Sequence, residues 1–275
     1  MSTMINNSTT LAALAGLSAA NMDAAKASER LATGSRINRP SDDPAGIGKA
    51  SILKAEITSF MQVKRNLNSA ISDLQAVGDG YSAITDYLTE MRALALSAAS
   101  ESDQAVLDAY QAQFSELVTG IGEVVASVKF GGTAAIGSGG LTTTIQDGIS
   151  NGETKSLTFD AADATTLSVA TLSISAAASA SAAITSIESA IDTVSKGVAK
   201  VGGYQNVLET TSRLADDSIL AKSSQYGNLV DADLALEASN LAAAKIRQDA
   251  STAVLAQANS MNRNIADYLL NGALG

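Results

Sequence analysis

The sequence predicts a mainly α-helical protein: a long antiparallel helical rod, or coiled-coil bundle, with a small β-hairpin region in the middle of the chain. Three observations predict it. Leu53, Phe60, Leu67, Leu74, Tyr81 and Leu88 follow one another every seven residues, and Leu234, Leu241, Leu255 and Leu269 share one such register with Gln248 and Asn262 filling the gaps. A seven-residue repeat keeps one stripe of a helix facing a partner helix. The 275 residues are 46% hydrophobic but only 4% aromatic, so much of the apolar content is alanine. Alanine has the best helix propensity and lets helix backbones approach closely. Residues 131–175, by contrast, are rich in Gly, Ser and Thr and carry short alternating apolar runs.

Taken in order, residues 3–33 read as an amphipathic helix in which Leu17, Ala24 and Leu31 repeat by seven and Gly34 supplies the helix-ending glycine. Its large apolar residues are few, so it is marginal alone. Residues 34–46 form a break that holds both prolines, Pro40 and Pro44. Asp43 is placed to cap a new helix with Pro44 in its first turn. Residues 44 to about 99 then form one helix, about 80 Å long at the standard rise. Gly78 and Gly80 weaken its middle.

Residues 103–129 give a second rod helix, ended by Phe130-Gly131-Gly132. In the middle segment Leu141, Thr143 and Ile145 alternate, as do Leu157 and Phe159, with turn chemistry from Asp147-Gly148 to Asn151-Gly152. Leu167/Val169 and Leu172/Ile174 alternate in opposite phase, which predicts a bulge or turn between them. The alternation favours a set of hairpins over a flexible linker. Residues 176 to about 223 return to helix. There Ile184, Ile187, Ile191, Val194, Val198, Val201, Gln205 and Leu208 alternate steps of three and four, and Gly202-Gly203 marks a tight contact or a weak point. Gly227-Asn228 is expected to break the helix within 226–233, and residues 234–270 form the last one. If the two breaks lie side by side, the first and last helices pair as one layer.

Composition removes whole classes of function. The chain has no Cys and no His, which excludes thiol nucleophiles, disulfides, Ser-His-Asp triads and His-containing zinc sites. No cofactor, metal or enzymatic activity is expected. Adjacent acidic pairs such as Asp42-Asp43 and Asp216-Asp217 point apart on a helix and make poor catalytic pairs. The net charge of −10 argues against nucleic acid and anionic membranes as partners. Leu11 to Ala20 is too short to span a bilayer. Met1 to Asn7 is polar, and the first positive charge is Lys26, so no cleavable signal is expected.

The segment ERLATGSRINRPSDDPAGIGKA, Glu29 to Ala50, resembles the N-terminal signature of bacterial flagellins. Its matching pieces are Glu29-Arg30-Leu31, Thr33-Gly34, Arg36-Ile37-Asn38, and Asp42-Asp43 followed by Ala45-Gly46. STAVLAQANSMNRNIADYLL, Ser251 to Leu270, resembles the C-terminal signature, and Glu237-Ala238-Ser239-Asn240 matches a further piece. The likeness spans roughly residues 3–130 and 176–275. It implies a D0 domain made of residues 1–36 with 234–275, and a D1 domain of residues 37–233 with hairpins at about 131–175. The short middle segment leaves no room for outer D2 or D3 domains.

The resemblance further implies a subunit that polymerises with copies of itself into the flagellar filament, the helical propeller of swimming. It implies export through the flagellar export apparatus, a flagellin chaperone, and filament cap and junction proteins as partners. The alternative is a hook–filament junction adaptor, which shares the flagellin ends. The terminal helices are expected to be unfolded in the free monomer and to fold on docking. Leu14, Leu17, Leu31, Leu234, Leu241, Leu255, Ile265 and Leu269 are the expected inner assembly interface. The Leu53–Leu88 ladder and Ile184, Ile187, Ile191, Val194, Val198 and Val201 are the expected rod core. Arg30, Arg36 and Arg39 are placed to meet Asp42, Asp43, Asp231 and Asp233 across the breaks, against a reading of all seven as solvated charge. At two positions where many flagellins present an Arg and a Glu to a toll-like receptor, this chain aligns Glu90 and Gly120. Weak receptor activation is the expectation.

Overall fold

The computed structural model describes residues 8–272, with side chains described for residues 10–264. Five helices and four short strands follow in order: α1 (Ser8–Thr33), α2 (Pro44–Ala99), α3 (Gln104–Ser127), β1 (Lys129–Phe130), β2 (Thr133–Ala134), β3 (Leu141–Gln146), β4 (Thr154–Phe159), α4 (Ala177–Val230) and α5 (Leu234–Gly272). The chain divides into two compact units. One takes the residues up to 54 together with those from 223 onward, and the other is 55–222.

In the 55–222 unit, α2 and α4 run antiparallel. Glu56 faces Lys222 at 2.7 Å, Lys64 faces Asp216 at 2.6 Å, and Arg92 faces Glu188 at 2.7 Å. The α2 side of the seam is a continuous three-and-four series: Val63, Leu67, Ala70, Leu74, Val77, Tyr81, Ile84, Leu88, Met91, Ala95 and Ala98 are all buried. Leu53 is buried as well, whereas Phe60 is only half-buried.

The α4 side differs from the sequence expectation. Ile187, Val194, Val201 and Leu208 are buried, but Ile184 and Ile191 are half-buried and Val198 is 37% exposed. The alternate seam positions are instead Ala183, Ala190, Gly197 and Tyr204, one residue away. The cause is visible at Gly197, where an added Cβ would lie 2.8 Å from the ring of Tyr81. The small residues make room for the bulk of α2. Gly202 and Gly203 face open space and make no tight contact.

Helix α3 packs antiparallel to α2. Gly120 lies under the Tyr87 ring, Gly80 under Val128, and the Gly131 amide donates to Asp73. Asp103 caps α3 by accepting from the Ala105 amide. The helix ends at Ser127, before Phe130. Residues 129–130 become a strand, and Gly131-Gly132, both at positive φ, make the turn to β2.

A second, longer hairpin follows, β3 with β4, in the register Leu141↔Phe159, Thr143↔Leu157 and Ile145↔Lys155. Phe159 stacks at 5.2 Å on Phe130 and edge-on to Tyr204 at 6.2 Å. Tyr81 donates to the Asp160 carbonyl. Burial, then the Asp160 charge, push its hydroxyl well above the usual tyrosine range. Leu167, Val169 and Ile174 are buried, but they belong to a turn rather than strands. Ser168 sits at φ 58, and the amides of Val169 and Ala170 bond the Ala164 carbonyl. A left-handed residue between two apolar ones reverses the chain.

At the second break the helix runs through Gly227-Asn228 to Val230. A helical glycine costs only about 1 kcal/mol, and the Asp231 amide still reaches the Gly227 carbonyl.

Candidate functional site

The unit that joins the two ends is built on α1 and α5. They run antiparallel: Arg30 meets Glu237 at 2.8 Å, Arg247 meets Asp23 at 2.9 Å, and Gln248 donates to Asn21 at 2.8 Å. Their seam again follows steps of three and four. On α1 it takes Thr10, Ala13, Leu17, Ala20, Ala24, Ala27 and Leu31, and on α5 Glu237, Leu241, Ala244, Gln248, Ser251, Leu255, Ala258 and Asn262. Its most buried apolar members are alanines: Ala20, Ala27, Ala244 and Ala258. Leu17, Leu31, Leu241 and Leu255 are half-buried between the two helices of one chain. Leu14 and Leu234 point outward, at 60% and 52% exposed. The side chains of Ile265 and Leu269 lie outside the described residues.

Several large apolar side chains of the pair face water. Leu11, Met22, Leu236, Ile246, Val254 and Met261 are exposed beside Leu14 and Leu234. Leu14, Leu17, Ser18, Asn21, Met22 and Ala25 line a shallow groove of about 390 Å³ along α1. A surface this rich in open large apolar side chains marks a binding face.

The two breaks lie together and exchange backbone bonds. Ser35 pairs with Asp231, the Arg36 amide donates to the Val230 carbonyl, and the Ala232 amide donates to the Gly34 carbonyl. Gly34 ends α1 at φ 69, a conformation that glycine adopts freely.

Of the two readings, Arg–Asp pairing or solvated charge, no Arg–Asp pair across this junction forms among the described residues; three of the four aspartates serve backbone amides. Asp42 accepts from the Asn38 and Arg39 amides, Asp43 from Gly46, and Asp233 from Ala235 and Leu236. The arginines turn elsewhere: Arg30 to Glu237, Arg39 to Glu29, and Arg36 to the Leu229 carbonyl. Lys26 pairs with Asp42. The Arg30 hydrogen bond, then that of Asn240, hold Glu237 below its usual range. The Arg39 and Asn38 amides, then Lys26, do the same for Asp42.

Sequence reasoning missed Glu237, although a signal for it exists. It falls four residues before Leu241, in a seam slot, and a carboxylate there needs a cation. Glu56, four before Phe60, is the same case and meets Lys222. Glu90 is exposed on α2, and Gly120 is covered by Tyr87. Among the described residues, no helix is long and apolar enough to cross a membrane.

Residues 5–136 match the family model of the bacterial flagellin N-terminal helical region, and residues 184–269 that of the C-terminal helical region. The β3–β4 hairpin lies between the two matches. The chain is similar to a flagellin of Halalkalibacterium halodurans, at 29% identity over 89% of this chain and 91% of that one. It is also similar to a flagellar filament core protein of Brachyspira hyodysenteriae, at 28% over 94% and 96%, and to the flagellar filament 30.7 kDa core protein of Treponema maltophilum, at 27% over 88% and 90%. Among solved structures, Bacillus cereus flagellin aligns with a TM-score of 0.49 and 25% identity, over 55% of this chain and 88% of that one.

Proposed function

The chain belongs to the bacterial flagellin family, and from that membership we propose that it is a structural subunit which polymerises with its own copies into the extracellular flagellar filament. One observation carries the reading. Helices α1 and α5 pair through alanines and leave large apolar side chains, Leu14, Leu234, Ile246 and Val254 among them, open to water. A two-helix layer cannot cover all its own sides, and contacts that repeat without closing extend it into a helical lattice.

In this account the terminal pair, residues 1–36 with 234–275, is the inner D0 layer and residues 37–233 form D1, with no outer domains. Leu14 and Leu234 meet neighbouring subunits directly. Leu17, Leu31, Leu241 and Leu255 first pair α1 with α5, and Ile265 and Leu269 belong to the same interface. The pair folds fully only on docking, which couples subunit folding to growth. Relatives that are flagellins and filament core proteins favour this propagating subunit over a junction adaptor. Export through the flagellar apparatus, a chaperone on the C-terminal helix, and cap and junction proteins follow from family membership.

Glu90 and Gly120 weaken recognition by a toll-like receptor, since they replace a cation and a carboxylate. A reporter-cell assay with purified subunit should give a poor response, and a normal response would refute this. The test of the main reading is seeded growth. Purified protein given short filament seeds or a precipitating salt should form long filaments under negative-stain electron microscopy. A protein that stays monomeric under every seeding condition contradicts it.

A further inference from the structure

We propose that Asn151, at the tip of the β3–β4 hairpin, is a site of spontaneous deamidation, so that the hairpin tip gains negative charge as the protein ages. The tip is pinned on both flanks. The Gln146 side-chain Nε2 donates to the Gly148 and Ser150 carbonyls, at 2.9 and 2.8 Å, and the Ser150 backbone amide donates to Glu153 Oε2 at 2.8 Å. The Asp147 amide reaches the Glu153 carbonyl at 3.1 Å, and the Thr154 amide the Gly152 carbonyl at 2.9 Å. These bonds leave the two reacting groups alone. Neither the Asn151 carboxamide nor the Gly152 N–H has a hydrogen-bond partner within the described residues, and both residues are exposed. Gly152 sits at φ +89 and carries no side chain of its own beside its nitrogen; a Cβ there would meet nothing within 4 Å beyond its chain neighbours.

The chemistry needs only water and hydroxide. The Gly152 amide nitrogen loses its proton and attacks Cγ of Asn151. A C–N bond forms, the bond from Cγ to Nδ2 breaks, and Nδ2 leaves as ammonia, taking up a proton from water. Water then adds to either carbonyl of the five-membered imide and cleaves one of its C–N bonds. Attack at one carbonyl gives aspartate, and at the other isoaspartate with the backbone rerouted through the side chain. Either product replaces a neutral amide by a carboxylate next to Asp147 and Glu153. Isoaspartate also lengthens the backbone of a turn whose neighbours are fixed.

Among the asparagines whose side chains are described, others lack this combination; the chain's second Asn-Gly pair, Asn271-Gly272, lies outside them. Asn66, Asn206 and Asn259 lie within helices, where the following amide is held by the helix ladder and the following residue, Leu67, Val207 or Ser260, carries a side chain. The side chains of Asn21, Asn38, Asn68 and Asn240 are engaged in hydrogen bonds.

The test incubates purified full-length protein at mildly alkaline pH and follows each asparagine by peptide mass spectrometry with isoaspartate detection. Asn151 should convert to acid well ahead of Asn66, Asn206 and Asn259, with isoaspartate among the products. Gly152→Val should slow it. Asn151→Gln, which leaves the turn backbone untouched, should abolish conversion at that site. Conversion of Asn151 no faster than the helical asparagines, or an unchanged rate in Gly152→Val, would overturn the proposal.

Discussion

The α2–α4 seam and the α1–α5 seam share one spacing and differ in what fills it. The first buries Leu67, Leu74, Val77, Ile84, Leu88 and Met91 on one helix against Ile187, Val194, Val201 and Leu208 on the other. Each such side chain contributes about 1.5–3 kcal/mol on burial. The second buries Ala20, Ala27, Ala244 and Ala258 most deeply, at about 0.8 kcal/mol for each methyl-sized group. Position for position the large-residue seam is the more stable of the two, and in the proposed account the alanine seam needs additional surface from outside the chain. The same heptad grammar thus gives a stable body in one region and an unfinished assembly element in the other.

The largest expected effect comes from removing the unfinished element. A 40–235 fragment should keep a cooperative thermal melt and lose filament formation entirely, read by circular dichroism and electron microscopy. Next is a cavity in the large-residue seam: Leu74→Ala should destabilise the free subunit by about 2–5 kcal/mol in denaturant titration.

Then comes the carboxylate of the alanine seam. Glu237→Gln leaves Arg30 without its ionised partner and should cost about 1–3 kcal/mol, seen in filament melting rather than in the free subunit. Because Arg30 and Asn240 depress the folded pKa of Glu237 below its ordinary 4.5, its contribution is complete above that value. It is lost as pH falls through the lower, folded value. Wild-type filaments, followed by light scattering, should weaken below about pH 4.5, and the Gln variant should lack this component. The smallest effect on the free subunit is expected from Leu255→Ala. It is half-buried and should move the subunit's stability by less than about 0.5 kcal/mol, while lowering filament stability measurably. A large shift in the free subunit would erase the contrast between the seams.

The same contrast explains what could be read in advance. The α2 ladder was legible because Leu, Phe and Tyr occupy one slot of every heptad. Half of the α4 register, Ile187, Val194, Val201 and Leu208, was read correctly; the alternate slots hold Ala183, Ala190 and Gly197, and the larger Ile184, Ile191 and Val198 one residue over drew the reading, the two isoleucines packing at the seam's edge. Only the bulk of Tyr81 opposite Gly197 reveals why the small residue is the seam residue, and that is a tertiary fact. The β3–β4 hairpin could be read from its alternation and turn residues. Leu167, Val169 and Ile174 misled because an irregular turn buries apolar side chains as well as a strand does, and nothing local announces the positive φ of Ser168. The element order allowed the two breaks to lie side by side without requiring it. The transfer of Asp42, Asp43 and Asp233 from ion pairing to capping depends on where the helices begin, to within a residue.

Hydrogen exchange on free subunit and filament, read by mass spectrometry, tests the central claim most directly. Amides of the 17–31 and 241–258 segments should exchange quickly in the free subunit and become strongly protected in the filament. Those of 67–91 and 187–208 should be protected in both. Equal protection of the terminal helices in the free subunit would contradict the account, because the alanine seam would then be sufficient by itself.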